Sequence, residues 1–131
     1  DSERKVCFIP EAICRAHGFE NSPALFEENA NPEARAAVLA ELVKKAWGHV
    51  MEGVEYILLI PRRYMRIRLF CLWPLLMAAE NLKAIGDGHI VFDSVGKVKI
   101  SRKDVKRIIK STSWHFYSNR WIRKTFEELH P

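Results

Sequence analysis

Between Leu69 and Ala79 the sequence runs through eleven consecutive apolar residues, with Pro74 among them. Eleven is well short of the ~20 needed to cross a bilayer, so the run reads as part of a buried helix and no transmembrane helix is expected. A helix that is apolar all round has to be covered all round. The helix predicted here, roughly Arg63 to Ile85, should therefore be the central one of whatever the chain forms. Pro74 offers no N–H to the carbonyl of Phe70, a defect worth about 3 kcal/mol in an isolated helix, so packing or function must tolerate it.

Charge flanks this run in a fixed order. Arg62, Arg63, Arg66 and Arg68 come before it, and Lys97, Lys99 and Arg102 after it. The stretch from Tyr56 to Ile100 thus reads as one wall of a lipid site. Over the whole chain, 21 Lys and Arg against 16 Asp and Glu leave a net charge of +5. That balance favours anionic partners, whether phosphates, nucleic acid or anionic lipid headgroups. With 131 residues, 48% of them hydrophobic, one domain spanning 1–131 can bury a core without metal or disulfide support. Cys7, Cys14 and Cys71 form neither a zinc spacing nor a C-x-x-C pair, which fits a reduced, cytoplasmic protein. The opening Asp-Ser-Glu-Arg-Lys lacks the charge order and apolar region of a signal peptide.

The remaining elements also read as helices. Pro10 opens a short one over Glu11 to His17, which Gly18 stops, and another is expected after Ser22 and Pro23. Asn31 followed by Pro32 is a strong helix start. From there Val38, Leu42, Val43, Trp47, Val50, Val54, Ile57 and Leu58 recur every three or four positions until Pro61. His89 to Ile100 alternates weakly and suggests an extended return or a small hairpin. Ser101 and Asp104 make a capping box before a helix with Val105, Ile108 and Ile109 inward and Lys103, Lys106, Arg107 and Lys110 outward. A last helix is expected from Trp114 to Leu129, burying Trp114, Tyr117, Trp121, Ile122, Phe126 and Leu129. The fold class is all-α.

Several chemistries lack their parts. There is no Gly-rich phosphate loop, no G-x-S-x-G elbow and no H-E-x-x-H pair. His17, His49, His89, His115 and His130 show no i, i+4 pairing, and no catalytic residue is assigned. The four arginines could fork onto a diphosphate or could form the solvated first turn of a helix. Lys97, Lys99 and Arg102 could meet an anion at a helix N-terminus or could line an exposed basic loop.

The segment Phe70-Cys71-Leu72-Trp73-Pro74-Leu75-Leu76-Met77-Ala78-Ala79-Glu80-Asn81-Leu82 resembles the product-pocket helix of the squalene and phytoene synthase family. Phe-Cys, a proline three residues later and Met-Ala with a following Leu recur there. Val98-Lys99-Ile100 resembles that family's Val-Lys-Ile segment. Asp1 to Pro10, through Asp1, Glu3, Arg4, Lys5, Phe8, Ile9 and Pro10, resembles the end of its second aspartate-rich region. Val6 stands where many members carry Arg, which leaves Arg4 or Lys5 as substitutes. The pattern is closest to the bacterial squalene synthases.

The resemblance implies a helical bundle, the carboxyl-terminal half of an isoprenoid-synthase fold, in which two farnesyl or related prenyl diphosphates are joined head to head. After a second ionisation and rearrangement, reduction by NADPH gives squalene, while proton loss or capture of water gives related C30 products. It implies that Phe70, Cys71, Pro74 and Met77 line the prenyl pocket, with Lys97, Lys99 and Arg102 near diphosphate or cofactor phosphate. Asp1 would be a Mg²⁺ ligand in the intact enzyme. One terminal carboxylate is a poor Mg²⁺ site, so the chain alone is expected to be inactive, its amino-terminal half lying in the same protein or in a partner chain. A lipophilic substrate also makes peripheral membrane contact an expectation. The alternative is a basic helical module using the Lys103 to Lys110 or Arg120 to Lys124 face on nucleic acid. Because Trp114, Tyr117 and Trp121 are expected inside, no nucleic acid partner is expected.

Overall fold

The computed structural model describes residues 8–86 and 100–131. Among these there are five α-helices and one turn of 3₁₀ helix, and no strand is present. The helices are α1 (Glu11–Ala16), α2 (Pro32–Leu59), α3 (Met65–Gly86), α4 (Arg102–His115) and α5 (Asn119–Leu129), with the 3₁₀ turn at Pro23–Phe26. The all-α reading therefore stands.

Local chemistry sets most of the boundaries. Gly18 ends the α1 region at φ +87°, a left-handed conformation that glycine adopts without a Cβ clash. Asn31 caps α2, its Oδ1 accepting from the amide of Glu33 at 2.9 Å, with Pro32 at the first helical position. Ser101 and Asp104 form the expected capping box on α4. The last helix departs from expectation. Trp114 belongs to the end of α4, and α5 starts anew at Ser118, whose hydroxyl accepts from the amide of Trp121 at 3.2 Å.

The main core is built where α2, α3, α4 and α5 meet. Trp47, Val50, Val54, Ile57, Leu72, Leu76, Ala79, Ile108, Ile122 and Phe126 are buried together. A smaller cluster of Ile13, Cys14, Leu25 and Val38 holds α1 and the 3₁₀ turn against the beginning of α2. Burial follows the predicted stripe of α2 closely, because its apolar positions repeat at the helical period.

α3 packs against α2, α4 and α5 and is central in that sense. It is not covered on all sides. Leu72, Leu76 and Ala79 are buried, whereas Phe70 is 77% exposed, and Ile67 and Pro74 are exposed as well. Three helices cover only part of its circumference, which corrects the expectation of burial all round. Among the described residues, Met65–Gly86 is also long and apolar enough to cross a membrane by length and composition, with 17% of the apolar window buried. The unbroken apolar run understated the length of that window.

Candidate functional site

The uncovered side of α3 carries the residues singled out from the sequence. Ile67, Phe70, Cys71, Pro74, Met77 and Ala78 recur at three- and four-residue intervals, so they share one stripe of the helix, about 16 Å long from Ile67 to Ala78. Phe70 and Pro74 are exposed. Cys71 and Met77 are half-buried and lean on the main core from the edge of the stripe. Helix α3 continues through Pro74 without interruption. The Phe70 carbonyl has therefore lost its usual in-helix donor on the same side as the apolar stripe.

Hydrogen bonds hold the opposite side of α3 to the helices behind it. Trp73 Nε1 donates to Thr112 Oγ1 on α4 at 2.8 Å, and Thr112 in turn donates to the Ile108 carbonyl at 2.6 Å. On the stripe side itself, one turn beyond Met77, Asn81 Oδ1 accepts from the amide of Ile100 at 3.3 Å while its Nδ2 donates to the Met77 carbonyl at 2.9 Å. Arg107 Nη2 on α4 reaches Glu80 Oε1 at 2.9 Å and Asp104 Oδ1 at 3.4 Å. Glu80, hydrogen-bonded to that guanidinium, holds the Arg107 pKa above its ordinary value. These bonds set α3 and α4 antiparallel and fix the stripe's direction.

The arginine cluster divides. Arg62, Arg63 and Arg66 are exposed at the start of α3, with Arg63 lying 4.9 Å over the ring of Tyr64. Arg68 is 0% exposed. Its Nη2 donates to Asn119 Oδ1 on α5 at 2.6 Å, and its Nε and Nη1 are buried without a partner among the described residues. Burial first, and the nearby Arg62 charge second, lower its pKa. A guanidinium buried with one acceptor is a tie between helices, a role that the sequence reading missed by grouping it with its exposed neighbours. The signal was available, since Arg68, Leu72, Leu76 and Ala79 share one helical stripe.

Of the other predicted site residues, Arg102 is exposed in the first turn of α4. Since Ile100 bonds to Asn81, Arg102 belongs to the Met77 end of the stripe rather than the Phe70 end. Asp1, Lys97 and Lys99 lie outside the described residues. No group of three or more His, Cys, Asp or Glu able to hold a metal occurs among the described residues. The aromatic stripe also needs correction. Trp114 is 71% and Tyr117 53% exposed, while Trp121 is half-buried and stacks on His115 at 4.7 Å. The turn at Phe116 to Ser118 breaks the helical phase that would have carried Trp114 and Tyr117 inward.

A model of the squalene/phytoene synthase family matches residues 1–104. The chain belongs to the squalene/phytoene synthase family. It is a prenyltransferase family of isoprenoid biosynthesis, in which prenyl diphosphates are condensed head to head. Neither a curated protein nor a solved structure matches the chain. The squalene/phytoene synthase match covers α1 to α3 and the first turn of α4, so the whole apolar stripe lies inside it and α5 lies beyond it.

Proposed function

We propose that α3 forms one wall of a prenyl site in an enzyme that joins two farnesyl diphosphates toward squalene or a related C30 product. The observation that carries this reading is the uncovered apolar stripe of Ile67, Phe70, Pro74 and Ala78 on a helix whose other side is packed into the core. A prenyl chain is apolar throughout, and an allylic cation survives where water is excluded and no nucleophile is near. Phe70, projecting from that stripe, offers a ring face to such a cation. Pro74 leaves the Phe70 carbonyl without its in-helix donor, so a partly negative oxygen faces the same side as the stripe, where it would favour a cation. Cys71 and Met77 border the stripe where the chain would meet the core.

Arg102, at the Met77 end, and Lys97 and Lys99, which precede it in sequence, supply positive charge for a diphosphate or a cofactor phosphate such as that of NADPH. The described residues offer Mg²⁺ no carboxylate cluster. Under this reading the aspartate-rich segments used by the family face the stripe and cover it, whether from the same protein or from a partner chain.

The test supplies farnesyl diphosphate and Mg²⁺ to the enzyme formed by this chain with its aspartate-rich segments, and follows diphosphate release and C30 product. Phe70→Ala is expected to lower turnover about ten-fold or to redistribute products. Unchanged turnover with an unchanged product distribution would remove Phe70, and with it the stripe, from the site.

A further inference from the structure

We propose that the end of the bundle formed by the α2–α3 and α4–α5 connections docks on the surface of an anionic lipid bilayer. This goes beyond the catalytic reading and does not depend on it.

The first argument is charge. No Asp or Glu occurs between Tyr56 and Ala79, and none between Val105 and Phe126. The first segment contains Arg62, Arg63 and Arg66, exposed at the connection, and the second contains exposed Lys110 and Arg120. The two segments meet in the fold. Arg68 on α3 bonds to Asn119 on α5 at 2.6 Å, and Trp73 on α3 bonds to Thr112 on α4 at 2.8 Å. The turn between α4 and α5 is thereby held beside the first turn of α3, and the two stretches without Asp or Glu lie side by side, with Glu55, just before the first, paired to Arg123 at 2.8 Å.

The second argument is the kind of uncharged side chain found there. Trp114 and Tyr117 are exposed at the α4–α5 turn, and Tyr64 and Leu59 at the α2–α3 connection, with Leu59 81% exposed. Indole and phenol rings between guanidinium groups suit the headgroup level of a bilayer, where an apolar body and a polar tip are both accommodated. The same cations would serve a nucleic acid. A bare leucine gains nothing from a phosphate backbone, whereas it gains from acyl chains, and this selects the bilayer. Trp114 and Tyr117 also lie beyond the residues matched by the family, so nothing in that match accounts for their exposure.

Co-sedimentation with vesicles tests the proposal, comparing phosphatidylcholine alone with phosphatidylcholine containing one third phosphatidylglycerol. The protein is expected to sediment with the mixed vesicles, to stay in solution in the presence of the neutral ones and to be released as salt rises. Arg62→Gln and Arg63→Gln should each weaken binding about five-fold, the equivalent of one cation near an anionic surface. Trp114→Ala with Tyr117→Ala should weaken it about ten-fold. Lys44→Gln, which removes the same charge from the opposite part of α2, should leave binding within two-fold. The arginine changes lie on exposed side chains and report even if the aromatic pair perturbs folding, which circular dichroism would reveal. Absence of binding to mixed vesicles, an equal loss from Lys44→Gln, or tighter binding to a DNA duplex than to the vesicles would each overturn the proposal.

Discussion

α2 and α3 are the two long helices of this protein, and their sequences speak differently about their surroundings. In α2, apolar residues recur at the helical period with Glu41, Lys44, Lys45, Glu52 and Glu55 between them, and these charged residues are all exposed. Its pattern says which side is buried. In α3 the apolar residues run without gaps, and the pattern says only that much apolar surface exists. The fold covers one side of α3 and leaves Phe70 and Pro74 bare. An amphipathic helix encodes the direction of its partner, whereas a uniformly apolar one encodes a demand for cover that the described residues only half meet.

The comparison can be broken most sharply by truncating one large side chain on each helix. Trp47 on α2 is 2% exposed, so Trp47→Ala should cost about 3–5 kcal/mol, while Phe70→Ala on α3 should change stability by no more than about 0.5 kcal/mol. Denaturant titration of both variants decides it. Equal losses would mean that Phe70 is packed after all.

Arg68 sharpens the picture of the covered side. Arg68→Ala removes a buried guanidinium and strands Asn119, and a loss of about 2–4 kcal/mol is expected. Asn119→Ala leaves the charge with no acceptor and should cost nearly as much. In a double-mutant cycle the two losses should fall well short of additive; additivity would show that the pair does not tie α3 to α5.

The smallest effect concerns the start of α4. The hydrogen bonds from Ser101, side chain first and backbone second, hold the Asp104 carboxyl below its ordinary value of 3.8. A carboxyl depressed in the folded state stabilises above its unfolded value, and that stabilisation is lost as pH falls through the lower folded value. Ser101→Ala should therefore lower the melting midpoint by a few degrees at neutral pH, with the gap from wild type narrowing below pH 3.8. A gap that stays constant into acid would show that Asp104 takes no part in the cap.

Much of the fold was legible because its signals are local. Asn31 with Pro32, Gly18, Ser101 with Asp104 and the period of α2 each act within a turn or two, and each is found where the sequence puts it. What was not legible depends on other helices. The stripe through Trp114 and Tyr117 is continuous on a helical wheel, and only the cap at Ser118, itself a good N-cap residue, breaks the phase. Arg68 looks like its neighbours until its helical register with Leu72 and Leu76 is weighed above its charge. At the candidate site, the sequence identified the residues of the stripe by resemblance. Periodicity favoured an ordinary core, because an apolar side chain facing a substrate and one facing a core are chosen by the same physics.

Gly53, in the last third of α2, faces Leu75 on α3 so closely that an added Cβ would sit 3.0 Å from the Leu75 Cδ1. Position 53 therefore works as a spacer gauge between the two long helices. The flexible tip of Leu75 can yield a few tenths of an ångström to a methyl group, but a branched side chain has to lever α3 away from α2. Any such shift would be delivered about one turn away at Cys71 and half a turn away at Met77, so the width of the apolar wall is set from behind by a residue that has no side chain at all.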